Sequence, residues 1–336
     1  MSNPKYDLES RDFIVVGGGG YIGAHVCKTI AACGGRAVVF DNFQAGHEHA
    51  VKWGPLVKVD LRDRSALLAA FELYPNVKTV IHLASSIEVG EGEKAPEEFY
   101  ENNVSGALNL LIAMRKVGAD RLIFSSTCAT YGETQNMPLL ESEIQNPFSV
   151  YGKTKLAIEH MIQSYHKAYG LNYVTFRYFN ASGADVSGEI GEEHDPETHL
   201  IPNALKAAAG LGQGLKLFGT DYDTPDGTCV RDYIHVNDIA EAHIQAIRVM
   251  DGGLTKAEVN LGTGEGYSVL QIINAIEKVT GFAVPYEAGP RREGDLTQLY
   301  ADAQRARDIL DFTPQHSSLE NIIATAWNFH RTKWGL

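Results

Sequence analysis

The chain has 336 residues, of which 44% are hydrophobic, so it is long enough and apolar enough to bury a large core. Its 42 acidic residues outnumber its 29 basic residues, and the formal net charge of −13 argues against nucleic acid as a partner. No apolar run approaches the ~18 residues of a membrane-spanning helix, and the polar first ten residues lack a secretory leader. We therefore expect a cytoplasmic protein with no membrane partner.

Short runs of β-forming residues alternate with helical segments through residue 180. In chain order the runs are "DFIVVGG", "RAVVFDN", "VKVDL", "VKTVIHLAS", "DRLIFSST" and "NYVTFRYFN". This alternation is typical of βαβ units and a parallel sheet. Beyond residue 180 we expect helices near 200–210, 237–250, 268–280 and 318–332, with short strands such as "GLKLFG" between them. The change of pattern predicts a domain boundary near residue 180.

The first strand runs into "GGGGYIG", which is followed by the helical stretch "AHVCKTIAACGG". Gly17 permits a tight turn, Gly20 lets the backbone approach a pyrophosphate, and Gly23 lets the helix pack close to the sheet. Asp41 ends the second strand, where its carboxylate can accept hydrogen bonds from both ribose hydroxyls and would repel a 2′-phosphate. The pattern predicts a Rossmann-type, doubly wound α/β fold that binds NAD rather than NADP. Asp60 closes the third strand, where it either contacts adenine or caps the following helix.

Tyr151 and Lys155 are four residues apart in the helix predicted from "SVYGKTKLAIEHM", so both project from one face. A nearby ammonium and the positive ring of a cofactor can lower a phenol pKa from about 10 toward 7 and create a general base. Tyr74 and Lys78 share the spacing, but Pro75 denies them a common helical face. The hydroxyl-rich stretch "FSSTCATYG" follows a strand, at the sheet edge where such proteins bind ligands, and we expect a hydroxyl there to bridge substrate and Tyr151.

Metal and disulfide chemistry are not expected. The stretches "HEH" at 47–49 and "EEHD" at 192–195 offer possible ligands, but solvated polar loops explain them better, so we predict no metal site. Reduced thiols are favoured over a disulfide framework or a zinc site because no CxxC pair occurs among the four cysteines, Cys27, Cys33, Cys128 and Cys229.

In this order, the glycine turn, Asp41, the Ser/Thr turn and the Tyr/Lys pair resemble the extended short-chain dehydrogenase/reductase family, from about residue 12 to 333. The motifs "VGEGEKAPEEFYENNVSG", "RYFNASGA", "FGTDYDTPDGTCVRDYIHVNDIA", "NLGTGEGYSV" and "PRREGDL" narrow the resemblance to the UDP-glucose 4-epimerase family. It implies an isomerase that interconverts UDP-glucose and UDP-galactose by inversion at C4, through a 4-keto intermediate, with NAD regenerated in place. It also implies a homodimer, an NAD-binding Rossmann domain at 11–180 and a smaller α/β UDP-sugar domain at 181–336.

The resemblance assigns roles to individual residues. Tyr151 is the base, Lys155 its electrostatic partner and Thr127 the hydroxyl that steadies the reacting oxygen, while Ser125 and Ser126 hydrogen-bond backbone or cofactor. The implied NAD contacts are Gly17, Gly20, Tyr21, Ile22, Gly23, Asp41, Asn42, Asp60, Leu61, Leu83, Ala84, Ser85, Asn102, Ser125, Tyr151, Lys155 and Phe179. The implied UDP-sugar contacts are Thr127, Tyr151, Tyr178, Asn180, His199, Leu217, Phe218, Arg231, Tyr233, Arg292, Asp295 and Leu299. Arginines can bind a diphosphate through two hydrogen bonds each. Without the motifs around them, Arg231 and Arg292 would be interpreted as members of surface ion pairs.

Several positions depart from the family pattern. Ile87 stands where lysine is common, His199 where asparagine is common, and Val16 where threonine is usual. Leu299 matches a position beside the 2-substituent of the sugar, where tyrosine goes with plain hexoses and a smaller residue with N-acetyl groups. Leucine there predicts weak action on N-acetyl sugars, unless Leu299 is simply a core residue.

Three alternatives stay open. A sugar-nucleotide 4,6-dehydratase would carry an Asp-Glu pair directly after the catalytic threonine, whereas this chain has Cys128 and Ala129. A 4-epimerase of another UDP-sugar, whether N-acetylhexosamine, pentose or uronate, is poorly discriminated by sequence. A redox-sensing NAD-binding module would usually lack the Tyr/Lys pair.

Overall fold

The first half of the chain alternates strands and helices, as the sequence predicts. The computed structural model describes residues 6–134, 136–292 and 294–336. The strands of this half are β1 (Asp12–Val16), β2 (Arg36–Asp41), β3 (Leu56–Lys58), β4 (Thr79–His82), β5 (Arg121–Thr127) and β6 (Asn172–Tyr178). The helices are α1 (Tyr21–Ala32), α2 (Arg64–Glu72), α3 (Val89–Lys94), α4 (Pro96–Phe99), α5 (Gly106–Val117) and α6 (Val150–Tyr169), with a π-helical turn at Tyr100–Ser105 and 3-10 turns at Glu48–Ala50 and Cys128–Thr130.

The second half contains four of the predicted helices and several short strands. The strands are β7 (Asn180–Ser182), β8 (Leu215–Phe218), β9 (Val230–Arg231), β10 (Tyr233–His235), β11 (Lys256–Leu261), β12 (Tyr267–Ser268), β13 (Tyr286–Gly289) and β14 (Gln298–Leu299). The helices are α7 (Leu200–Ala208), α8 (Val236–Asp251), α9 (Val269–Thr280), α10 (Gln304–Leu310) and α11 (Leu319–Trp334).

Seven parallel strands form the central sheet in the order β11-β6-β5-β4-β1-β2-β3. In β1, β2, β4, β5 and β6, alternate residues enter two separate apolar cores, so that Val15 packs with α1 and α8, whereas Ile14 packs with α2, α5 and α6. Both faces of the sheet are therefore covered by helices, which confirms the predicted doubly wound α/β fold. From β1 the strand order runs to one side through β2 and β3, and then to the other side from β4 onward. Parallel sheets bind ligands at the point between β1 and β4 where this order switches.

The central sheet does not stop at residue 180. Strand β11 begins at Lys256 and pairs with β6, and helix α8 packs against α1. The remaining strands form three small sheets, β7 with β10, β9 with β12 and β14, and β8 with β13. A division of the chain at 180 stays a prediction, and the segments around 236–261 return to the nucleotide-binding half.

Local signals explain where the key helix begins and ends. The Ser149 hydroxyl accepts a hydrogen bond from the backbone N–H of Gly152 at 3.1 Å, which caps the start of α6. Gly170 adopts φ 73° and ends the helix. Tyr74 follows α2 and Lys78 precedes β4, so the second pair with the same spacing does not share a helix. Within the described ranges, no helix combines the length and apolar character needed to cross a membrane.

Candidate active site

A cleft of about 620 Å³ lies along the carboxyl ends of β1, β4, β5 and β6. It brings together most of the residues singled out from the sequence. Those lining it are Gly17, Gly20, Tyr21, Ile22, Gly23, Asp41, Asn42, Leu61, Leu83, Ala84, Ser85, Asn102, Ser125, Thr127, Tyr151, Lys155, Tyr178, Phe179, Asn180, His199 and Tyr233. One continuous cleft thus joins the dinucleotide fingerprint to the Tyr/Lys pair.

The glycine turn has a geometry that side chains would block. Gly17 adopts φ +84°, and a Cβ atom on it would stand 2.5 Å from the backbone nitrogen of Ala84. A Cβ atom on Gly23 would stand 2.1 Å from the carbonyl oxygen of Gly17. Gly20 caps α1 without a side-chain hydrogen bond, so the first N–H groups of that helix stay free for an anion. The turn and the helix therefore fit the pyrophosphate of a dinucleotide.

Asp41 braces the glycine turn. Its carboxylate accepts hydrogen bonds from the N–H groups of Gly19 at 2.9 Å and Phe43 at 2.8 Å, and it lines the cleft at 8% exposure. Carboxylate oxygens have further lone pairs for ribose hydroxyls.

Asp60 is not part of the cleft lining, although Val59 and Leu61 on either side of it are. It accepts a hydrogen bond from the Asn42 amide at 3.0 Å, and its bonds to Arg62 hold the pKa of its carboxyl below the usual range. It does not cap α2, since Asp63 accepts from the N–H groups of Ser65 and Ala66 there. The helix-cap alternative for Asp60 is therefore wrong.

Lys155 is 2% exposed, and its ammonium donates to the carbonyl oxygen of Ser125 at 2.8 Å. Its Nζ lies 5.7 Å from the centroid of the Tyr151 ring, so the lysine sits beside the ring. Burial lowers the pKa of Lys155 to about 7, although the nearby charge of Glu159 acts in the opposite direction.

Burial raises the pKa of the Tyr151 phenol above its ordinary value. The adjacent Thr127 hydroxyl lowers this pKa, whereas Cys128 and the charge of Glu88 raise it further. The protein's own groups thus favour the protonated phenol. A positive charge brought in by a cofactor is what would turn Tyr151 into a base.

The hydroxyls at the end of β5 divide between two tasks. Thr127 faces the cleft, and its oxygen also accepts from the N–H of Ala129 at 3.1 Å. Ser126 also lines the cleft, and it donates to the Glu159 carboxylate at 2.5 Å, so its partner in this structure is a side chain. Glu159 in turn binds Arg177.

Polar residues between β7 and α7 form another part of the cleft wall. The expected solvated loop at 192–195 is wrong for Glu192, which is 5% exposed, and burial raises its pKa to about 7. Burial alone would lower the pKa of His199, but its hydrogen bond to Glu197 and the charge of Glu192 raise it to about 9. At 47–49, His47 and His49 face Glu193.

The remaining predicted substrate residues lie outside the cleft lining, and most form a second polar group. Arg231 contacts Asp295 at 3.3 Å, and the Arg292 guanidinium stacks 4.3 Å from the centroid of Phe218. Leu217 is 2% exposed and belongs to an apolar core. Leu299 packs against a cluster of Tyr131, Leu139, Phe179 and Ala301. Leu217 and Leu299 thus both pack against apolar neighbours, and their predicted substrate contacts stay predictions.

Sequence reasoning did not single out Glu88 and Glu159, and it assigned Glu192 to a solvated loop. Glu88 lines the cleft, Glu192 is buried in its wall, and Glu159 is buried against Ser126. The position of Glu159, four residues after Lys155 on the same helix face, was a usable signal. Only the fold reveals the other two.

The residues and the fold agree with what comparison with known proteins finds. The model of the NAD dependent epimerase/dehydratase family matches residues 13–262. A UDP-glucose 4-epimerase of Rhizobium leguminosarum bv. trifolii is 49% identical over 323 residues, which cover 96% of this chain and 98% of that protein.

Solved structures give the same result. The chain matches the UDP-glucose 4-epimerase of Brucella ovis in complex with NAD at 49% identity and a TM-score of 0.92, over 95% of this chain and 98% of that one. It matches the UDP-glucose-4-epimerase of Stenotrophomonas maltophila, with bound NAD and formylated UDP-arabinopyranose, at 35% identity and a TM-score of 0.93, over 96% and 99% of the two chains. The chain belongs to the NAD dependent epimerase/dehydratase family.

Proposed function

We propose that the protein is an NAD-dependent epimerase that interconverts UDP-glucose and UDP-galactose by inverting C4 of the sugar. The observation that carries this proposal is the placing of Thr127, Tyr151 and Lys155 in the same cleft as the glycine turn and Asp41. The names of the relatives support the choice of substrate.

The chain's own residues would move the proton and hold the oxygen. Tyr151 takes the proton of the 4-hydroxyl, and Thr127 hydrogen-bonds the oxygen as the alcohol becomes a ketone. NAD, when bound, supplies the ring that accepts the hydride and returns it, and its positive charge favours the phenolate. Lys155 anchors the site through Ser125 and adds positive charge beside the phenol.

Inversion requires that the 4-keto sugar present its other face while the nucleotide stays bound. The second polar group suits this anchoring task. Its arginines can bind a diphosphate, and Asp295 can accept a ribose hydroxyl. The Arg231 guanidinium donates to the carbonyl oxygens of Val230 and Leu296, both at 2.8 Å. These bonds hold the side chain in place before a diphosphate binds.

The alternatives have less support. A 4,6-dehydratase needs an acid after Thr127, but the turn at Cys128–Thr130 offers none, and burial raises the pKa of Cys128 to about 12. An NAD-binding sensor would not need Tyr151 and Thr127 side by side. A uronate epimerase would have to bind the sugar's carboxylate near the carboxylate of Glu88. The two negative charges would repel each other, which can be tested directly.

Incubating UDP-galactose with purified protein and no added NAD tests the proposal. Proton NMR should show the anomeric signal of UDP-glucose growing until both sugars reach equilibrium. A sample that holds NAD but leaves UDP-galactose unchanged would identify a sensor instead.

We also propose that the protein works as a homodimer in the cytoplasm, with nucleotide binding centred on residues 11–180 and UDP-sugar binding on residues 181–336. The family resemblance supports the dimer, and the four free cysteines Cys27, Cys33, Cys128 and Cys229 suit a reducing compartment. Light scattering of the purified protein measures the mass that decides between monomer and dimer.

A further inference from the structure

Two glutamates and two histidines converge in the cleft wall between β7 and α7. Glu192, His194, Glu197 and His199 follow the spacing E-x-H-x-x-E-x-H, and one donor atom from each lies within 4.8 Å of the others. Glu192 is 5% exposed, and the His194 side chain is 17% exposed. The Glu197 side chain is 15% exposed and that of His199 is 44% exposed, so three of the four side chains are largely enclosed and His199 closes the group on the solvent side.

The distances within this group match a small coordination sphere. His199 Nδ1 lies 3.0 Å from Glu192 Oε1 and 2.9 Å from Glu197 Oε1. His194 Nδ1 lies 3.6 Å from Glu192 Oε1 and 3.6 Å from Glu197 Oε2. Four ligands arranged tetrahedrally at the usual zinc bond lengths of about 2.0–2.1 Å stand about 3.3–3.4 Å apart. The four histidine–glutamate separations bracket that spacing, and all four donor atoms lie within 4.8 Å of one another.

Hydrogen bonding alone does not account for the group. His194 Nδ1 is buried without a hydrogen-bond partner, although it points at two carboxylates. A protonated His199 would satisfy the contacts between that residue and the two glutamates, yet it would leave His194 Nδ1 unpaired. A cation at the centre would use the free lone pair of His194 and neutralise both carboxylates at once.

We propose that Glu192, His194, Glu197 and His199 bind one divalent cation of the zinc class. Two imidazoles and two carboxylates suit zinc better than calcium or magnesium, which prefer an all-oxygen shell. Four protein ligands fill a tetrahedral shell, so the site is structural rather than catalytic. This proposal replaces the expectation, drawn from the sequence, that the chain has no metal site.

The ion would fix the wall of the cleft. Glu192, His194 and His199 line the cleft, and the same loop begins near Gly183, whose carbonyl oxygen accepts from the Tyr21 hydroxyl at 2.6 Å. Holding the loop from both ends would tie the sugar side of the cleft to the glycine turn. With Nδ1 of His199 on the ion, Nε2 of that ring stays available to the substrate.

The test uses the full-length protein without an affinity tag. Elemental analysis of the purified protein should find one zinc ion per chain, or the metal-depleted protein should take up one from added Zn²⁺. Replacing zinc with Co²⁺ should give the intense visible absorption of tetrahedral coordination. His194→Ala and Glu197→Gln should weaken zinc binding by more than the ~10–100-fold typical of lost outer-shell partners.

His49→Gln is the matched control, because His49 is exposed, faces Glu193 and lies outside the group. It should keep the full zinc content. A wild-type chain that neither contains zinc nor binds added Zn²⁺ overturns the proposal. An unchanged zinc content in both ligand variants also overturns it. An octahedral cobalt spectrum of the wild type does so too, and that measurement does not depend on whether a variant folds.

Discussion

Glu159 and Arg177 form a two-pronged ion pair behind the catalytic edge of the sheet. Arg177 Nη2 lies 2.8 Å from Glu159 Oε2, and Nε lies 3.2 Å from Oε1. Both side chains are almost fully buried, at 1% and 4% exposure. Ser126 also donates to Glu159, so the pair links α6, which carries Tyr151, to β5, which carries Thr127. The pair therefore fixes the distance between the two groups that handle the substrate oxygen.

Glu159→Gln should lower the free energy of unfolding by about 3–5 kcal/mol, because it leaves the Arg177 charge buried without its partner. Denaturant titration of the NAD-loaded protein measures this. Glu91→Gln breaks an exposed pair with Lys94 and should change stability by less than about 1 kcal/mol. Equal effects of the two changes would contradict the structural role of the buried pair.

Tyr151→Phe removes only the phenol oxygen, so NAD should remain bound while turnover falls by about 10²–10⁴, as expected for a lost general base. Turnover of UDP-galactose and NAD content per chain are measured on the same sample. Tyr74→Phe is the control, because Tyr74 and Lys78 have the same spacing but do not share a helix, and it should keep full activity. A Tyr151→Phe enzyme with wild-type turnover would refute the assignment of the base.

Asp41→Ala should weaken NAD binding and reduce discrimination against NADP. The loss of ribose contacts and of the braces to Gly19 and Phe43 is worth about 1–3 kcal/mol, or roughly 5- to 150-fold in Kd. Titration with both cofactors measures the ratio of the two Kd values. Asp63→Ala, which removes only the cap of α2, should leave that ratio unchanged. A constant ratio in Asp41→Ala would rule out its role in cofactor choice.

The buried Lys155 predicts how stability depends on pH. Its folded pKa of about 7 lies below the ordinary 10.5, so the unfolded chain binds more protons between these values. Stability of the cofactor-free protein should therefore fall as pH decreases from about 10.5 to about 7. The fall amounts to roughly 3–5 kcal/mol, since a tenfold change in proton affinity is about 1.4 kcal/mol. Lys155→Met should lack this component, and parallel wild-type and variant curves would contradict it.

The sequence predicts best what depends on neighbouring residues. The helix that carries Tyr151 and Lys155 is capped by Ser149 at its start and by Gly170 at its end, and both signals are local. The pairing of β11 with β6 joins residues about 80 positions apart, so no local pattern reveals it. The burial of Glu192 has the same origin, because it depends on how a loop folds against the cleft.

Motifs also cannot show where a side chain points. Leu217 and Leu299 stand beside residues that match substrate contacts, but one lies in an apolar core and the other packs on Tyr131 and Phe179. The N-acetyl preference predicted from Leu299 therefore stays a prediction. In contrast, the position of "FSST" at the carboxyl end of a predicted parallel strand correctly places Ser125, Ser126 and Thr127 at the cleft, because such sheets bind ligands at that edge.

Glu88 should exclude sugars that carry a carboxylate. It lines the cleft, and its charge contributes to raising the pKa values of both Tyr151 and His199, so it acts on both residues across the cleft. A uronate has its carboxylate on C5, the neighbour of C4. Two such charges about 5 Å apart, at an effective dielectric constant of 20, repel by about 3 kcal/mol, or roughly 100-fold.

We therefore expect kcat/KM for UDP-glucuronate to be at least about 100-fold below that for UDP-glucose. Glu88→Gln keeps an acceptor for the Ile87 N–H, which now binds Glu88 at 3.2 Å, and should narrow the ratio about tenfold or more. Glu91→Gln removes an exposed charge from the helix that Glu88 precedes and should leave the ratio unchanged. If Glu88→Gln and the wild type discriminate equally against the uronate, repulsion by Glu88 does not set this preference, and the shape of the cleft must set it instead.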